Sequence, residues 1–187
     1  MKKNLFVCLA IMCLCSCSKD SQDDVTGIVD GSGNVYSEVT VGSQVWLKED
    51  LKTAKYIDGK EIPASYYENK GKEGCYYLYD VDVKKLCPKG YRLPTQQDFQ
   101  KMIEYFGGES IDKDQIISNY VNKWNGNPNG NGDGMTNAGS GLYWSSTQTT
   151  YPGKNGNYYF YFRTETAGLS VSQFSSIGSF HIKCIKE

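Results

Sequence analysis

Residue types that carry enzyme and metal chemistry are sparse in this chain. His181 is its single histidine, which rules out most zinc sites, because these gather several imidazole or thiolate ligands around one ion. It falls in the last predicted strand, where a structural or surface histidine is a better reading than a general base. No Gly-x-Ser-x-Gly elbow and no phosphate-binding loop occurs, so no nucleophile or nucleotide site is expected. Asn127, Asn129, Asn131 and Asp133 offer oxygens at alternating positions in a glycine-rich stretch, loosely like a calcium loop. Only one of the four is charged, so affinity would be weak and a solvated loop accounts for the same residues. Aromatic rings are the more suggestive feature. Trp124 with Asn125, together with Tyr151, Tyr159 and Tyr161, could form a ligand surface in which rings stack on a sugar and amides hydrogen-bond it.

The elements that would position these residues begin after a leader. Lys2 and Lys3 precede an apolar run over residues 5–15 that is too short to span a bilayer. The run ends in Leu14-Cys15-Ser16-Cys17, which resembles a bacterial lipobox. The resemblance implies removal of residues 1–16 and lipidation of Cys17, and multiple acyl chains hold a membrane firmly. Residues 17–24 contain acidic and polar side chains and read as a flexible tether. They are also similar to the acidic export tags of surface lipoproteins in the Bacteroidetes. Outer-membrane attachment with exposure at the cell surface is the expectation.

Residues 25–187 suit one domain with a single core. The formal charge of −1 becomes more negative once the two leader lysines leave, and no basic patch appears, so nucleic acid is not an expected partner. Fifteen tyrosines and twenty glycines favour a strand- and loop-rich domain. Cys75, Cys87 and Cys184 remain in it, which permits at most one internal bridge and three pairings.

The clearest local structure lies over residues 86–107. A cysteine leads into a short strand and a proline, then Thr95 as N-cap with Asp98 completing a capping box. Phe99, Met102, Ile103 and Phe106 make one apolar stripe, and Gly107-Gly108 supplies the stop. A second helix is predicted from Lys113 to about Lys123, capped by Asp112, with Ile116, Tyr120 and Trp124 on its buried side. Earlier, residues 25–29, 35–41 and 45–48 read as an antiparallel hairpin or small meander, with Val35, Val39 and Val41 on one face and Trp46 in the core. Residues 75–83 fit a strand or a short helix. Residues 125–141 form a long loop. Strands follow over 142–147, 158–163, 171–174 and 179–185. In the second of these Tyr158, Phe160 and Phe162 face one way, and Tyr159, Tyr161 and Arg163 the other.

Four motifs in order carry a family resemblance. They are Asp30-Gly31 with Gln44-Val45-Trp46, then Cys87-Pro88-Lys89-Gly90-Tyr91-Arg92-Leu93-Pro94-Thr95, then Trp144-Ser145-Ser146-Thr147, and finally Ile182-Lys183-Cys184-Ile185. Together they resemble the Fibrobacter succinogenes major paralogous domain family. That family is similar in layout to the C-type lectin and formylglycine-generating sulfatase-modifying folds. The resemblance implies an α+β domain with two helices packed on twisted, mostly antiparallel strands and long loops. It also favours a Cys87–Cys184 bridge, leaving Cys75 as a buried thiol. Two departures are a shorter glycine-rich segment before Trp144 and the extra Cys75. The formylglycine-generating enzymes use a pair of reactive cysteines late in the chain, and only Cys184 is available here. The sugar-binding signature of C-type lectins is missing as well.

The resulting expectation is a non-catalytic, surface-tethered recognition or adhesion lipoprotein, with polysaccharide as the favoured ligand class. The alternative is a structural or accessory subunit of a cell-surface assembly that docks other surface proteins. No cofactor is expected, apart from the weak calcium candidate.

Overall fold

The computed structural model describes residues 27–71, 74–79, 81–132, 139–151, 154–163, 165–172 and 178–187, without the side chains at 150, 151, 154 and 155. The predicted leader, Cys17 and the tether lie outside the described residues. Within them, strands run as β1 Ile28–Val29, β2 Val35–Tyr36, β3 Glu38–Val41, β4 Gln44–Leu47, β5 Tyr67–Asn69, β6 Cys75–Leu78 and β7 Tyr91–Arg92. Helix α1 covers Gln96–Tyr105, and α2 covers Lys113–Ile116 and continues as a π-wound segment over Ile117–Lys123. The remaining strands are β8 Asn129–Gly130, β9 Ser140–Tyr151, β10 Lys154–Arg163, β11 Thr166–Ser172, β12 Ser179–Phe180 and β13 Ile185–Lys186. The fold is α+β, with two helices and mostly antiparallel sheets; β8 alongside β9 is a parallel pair.

One four-stranded sheet has the order β11-β10-β9-β8. Side chains alternate across it, so it divides the core in two. Tyr143, Phe160 and Phe162 face α1 and α2, and all three are fully buried. Leu142 and Trp144 face the β5–β6 side with Tyr77, Tyr79 and Phe180. Phe99 of α1 stacks on Phe160 at 4.9 Å and an interplanar angle of 11°, and Tyr120 stacks on Phe162 at 5.7 Å. Burying each such ring contributes about 1.5–3 kcal/mol relative to exposure.

Helix α1 starts as its local sequence requires. Thr95 Oγ1 accepts the Asp98 N–H, and Asp98 Oδ2 accepts the Thr95 N–H at 2.7 Å, which closes the capping box. The predicted stripe is buried, and Gly107 and Gly108 end the helix at φ values of 108° and 96° that only glycine adopts freely. The second helix departs from expectation by changing its winding. On an α-helix, residues four apart drift by about 40° per step. The looser π winding after Ile116 compensates, so Ile116, Tyr120 and Trp124 all stay in the core. Asn125 then takes a left-handed conformation (φ 59°), and the Gly126 N–H reaches the Tyr120 carbonyl.

Other corrections are local. The alternation assigned to residues 35–41 breaks at Ser37, whose N–H and hydroxyl both bond the Glu49 carboxylate. In consequence Val35 is 60% exposed and Tyr36 is buried. Residues 75–83 resolve as a strand over Cys75–Leu78. The last predicted strand is interrupted at 182–184, where carbonyls turn sideways to accept the Leu51 and Leu47 N–H groups. The strand predicted at 171–174 begins earlier, at Thr166, and residues 173 and 174 lie outside the described residues. The predicted loop at 125–141 contains β8.

Candidate functional site

The motif residues build the scaffold. Cys87 and Cys184 form a disulfide that ties the segment leading into β7 to the C-terminal segment. The Trp144 indole donates to the Tyr77 carbonyl at 2.7 Å. Ser146 donates from its N–H to the Pro94 carbonyl, and Thr147 Oγ1 accepts the Gln96 N–H at 2.9 Å. The segment after Trp144 thus satisfies one of the donors that the start of α1 leaves open. Asp30 is enclosed by Ser32 N–H, Asn34 N–H and the Tyr36 hydroxyl, and Gly31 lies so close to the Tyr56 carbonyl that a Cβ would fall 2.1 Å from it.

A polar cluster sits inside the fold. Lys183 Nζ lies 2.8 Å from Asp50 Oδ1 and donates to the Lys48 and Asn125 carbonyls. The Tyr143 hydroxyl donates to Asp50 Oδ2 at 3.1 Å and accepts the Asn127 N–H. His181 Nδ1 faces the Cys75 carbonyl at 3.1 Å and Asp50 Oδ2 at 3.7 Å, while its Nε2 has no hydrogen-bond partner among the described residues. Burial pulls the pKa values of Lys183 and His181 down from their ordinary values, against the attraction of Asp50, and pushes the Tyr143 phenol up. Tyr143, His181 and Lys183 are fully buried and Asp50 is 8% exposed. The cluster therefore braces the C-terminal segment from inside the fold. Asp50 and Lys183 escape sequence reasoning, although a lysine between Ile182 and Cys184 is the one signal that points to a buried ion pair.

The open features lie on the other face of the sheet. Tyr159 and Tyr161 are half-buried, 6.3 Å apart between ring centres. Tyr161 lies opposite Gly168 of β11, where no side chain intervenes, and the Arg163 guanidinium stacks over its ring at 4.7 Å. Ser140, Leu142, Tyr159, Tyr161, Phe162 and Arg163 line a cavity of about 100 Å³. The platform is rigid because a ladder of rings backs it: Tyr159 to Phe180 at 4.9 Å, Phe180 to Trp144 at 4.3 Å, and Trp144 to Tyr79 at 5.1 Å. At the far end of the ladder a wider groove of about 710 Å³ is lined by Tyr79, Val81, Asp82, Lys84, Ser146 and Gln148.

Of the residues expected to form a ligand surface, the structure brings Tyr159 and Tyr161 together. Trp124 is a correction: it is fully buried, wedged edge-on against Trp46, Tyr143 and Phe160. The π winding that carries Trp124 inward removes it from any surface. Asn125 is exposed but structural, its amide donating to the Lys48 carbonyl and its own carbonyl accepting Lys183. Tyr151 ends β9, and its side chain lies outside the described residues. The calcium candidate does not assemble among the described residues. Asn127 Oδ1 accepts the Asn129 N–H, Asn131 is buried, and Asp133 lies outside the described residues. Cys75 is a buried free thiol whose pKa burial raises. Alternation along β10 places Arg163 on the face of Tyr159 and Tyr161, and nothing else in the sequence marks it.

These features define a small, disulfide-clamped α+β domain whose motif residues hold the scaffold together. The model of the Fibrobacter succinogenes major domain matches residues 39–186, and the chain belongs to that family. Neither a curated protein nor a solved structure matches it.

Proposed function

We propose that this is a non-catalytic recognition or adhesion lipoprotein that binds polysaccharide through the face carrying Tyr159 and Tyr161. The observation that carries the reading is the pair of half-buried tyrosines beside a stacked guanidinium and a cavity, held by rings beneath them. Aromatic faces receive the C–H face of a sugar ring, and nearby hydroxyl and guanidinium groups fix its orientation. The layout of the strands and helices is read as C-type-lectin-like, and Cys17 as the lipid anchor that places the domain at the outer membrane, exposed at the cell surface. Binding to a polysaccharide panel is expected for the native protein and lost in Tyr159→Ala and Tyr161→Ala. Binding that survives both substitutions contradicts the reading. Metabolic labelling with a fatty acid, lost in Cys17→Ser, tests the anchor.

A second reading, a structural subunit of a surface assembly, draws on Tyr105 (52% exposed) and Ile117 (40% exposed). Lys123 spans the Tyr105 ring at 4.7 Å. Site-specific crosslinking from position 105 to a partner protein would favour it.

A further inference from the structure

We propose that the cavity beside Tyr161 selects sugars that carry a carboxylate, as in uronic acid polymers, and that Arg163 reads the charge. This rests on the reading of the Tyr159–Tyr161 face as a polysaccharide-binding surface. Three observations converge on it.

First, Arg163 is exposed, and no carboxylate pairs with it among the described residues. The other described arginine, Arg92, spends its charge on Asp98 at 2.7 Å. Second, the guanidinium sits against the tyrosine face. It stacks over Tyr161, which in turn lies over Gly168, where even a Cβ would come within 3.0 Å of the phenol oxygen. A guanidinium held over a ring through its Cζ still has N–H donors to offer, and their fork matches the two oxygens of a carboxylate. Third, the cavity of about 100 Å³ is well below the roughly 300–1,000 Å³ typical of small-molecule sites. It suits one edge of a ring projecting from a polymer that lies across the tyrosines, with Ser140 within the same cavity to meet a ring hydroxyl. The carboxylate of a uronic acid sits on such an edge.

The test uses polygalacturonate, the same polymer with its carboxyl groups methyl-esterified, and dextran sulfate, each titrated calorimetrically into the protein. Native protein is expected to bind polygalacturonate at least tenfold more tightly than the ester. Arg163→Gln is expected to bring the two to equal, low affinity, while Arg163→Lys keeps part of the preference; unchanged melting temperatures show that both variants fold. Equal affinity for polygalacturonate and its ester, with loss in Tyr161→Ala, overturns charge selection and leaves the polysaccharide reading standing. Dextran sulfate binding as tightly as polygalacturonate overturns selection of a carboxylate in favour of any anion. No binding of any of the three polymers overturns both readings together.

Discussion

Lys183 Nζ lies 2.8 Å from Asp50 Oδ1, with the lysine fully buried and the aspartate nearly so. The pair joins the segment after β4 to the last residues of the chain, next to the Cys87–Cys184 bridge. Removing one member strands the other charge in the interior, at a cost of about 3–5 kcal/mol. Lys183→Met and Asp50→Leu are each expected to lower the unfolding free energy measured by urea titration by that amount, and the double variant to recover a large part of the loss. A double variant as unstable as the sum of the two singles would show that they do not act as a pair.

His181 makes stability depend on pH. Its pKa is lowered by burial, beside Lys183, with Asp50 opposing the shift. A group whose folded pKa lies below its unfolded value of about 6.5 contributes stability that is present above that value and lost as pH falls toward the folded pKa. The Tyr76 and Tyr143 rings pack against the imidazole at 4.3 and 5.6 Å. Urea midpoints are expected to fall on acidification from about pH 7 to pH 5, and His181→Phe to flatten that fall. Asp98, held down by Arg92 and Thr95 against its own burial, begins to lose stability only at lower pH, so the two windows separate.

Thr147 controls the start of α1 from a strand far along the chain. Thr147→Val keeps the shape but leaves the Gln96 N–H without its acceptor. A loss of about 0.5–2 kcal/mol is expected, as for other N-terminal acceptors. Faster amide exchange at Gln96, with little change in the middle of α1, would accompany it.

Trp124 and Tyr161 are expected to differ sharply. Trp124→Ala empties a fully enclosed site between Trp46, Tyr143 and Phe160 and is expected to cost about 3–5 kcal/mol. Tyr161→Ala is expected to cost less, about 1–2 kcal/mol, since the ring is only partly buried. Thermal denaturation of the two variants side by side checks this.

Gly168 offers a way to move the platform without cutting it. The atoms nearest to a Cβ there belong to the far end of Tyr161, at 3.0 Å from its hydroxyl oxygen, so a side chain is expected to tilt the ring. Gly168→Val is expected to weaken polysaccharide binding about tenfold, or roughly 1.4 kcal/mol, at an unchanged melting temperature.

How much of this was legible beforehand depended on range. The capping box at Thr95 and Asp98 is complete within four residues, so it reads directly from the chain. The facing of Tyr159 and Tyr161 follows from strict alternation between the buried Phe160 and Phe162. The bridge partner of Cys87 came from the family resemblance, since three pairings were open on residues alone. Trp124 satisfied two patterns at once, a helix stripe and an aromatic beside an amide, and burial decides for the stripe. The Asp50 cluster was invisible because Asp50 and Tyr143 are 93 residues apart and meet only through tertiary packing. The switch to π winding is likewise set by what Tyr120 and Trp124 must touch.

The central claim is that polysaccharide binds across Tyr159 and Tyr161. Backbone amide shifts followed by NMR during titration with polygalacturonate test it most directly. The account predicts the largest changes along Tyr159–Arg163 and the facing Thr166–Ser170, with the helices undisturbed. Changes confined to the surface around Tyr105 and Ile117 would contradict it.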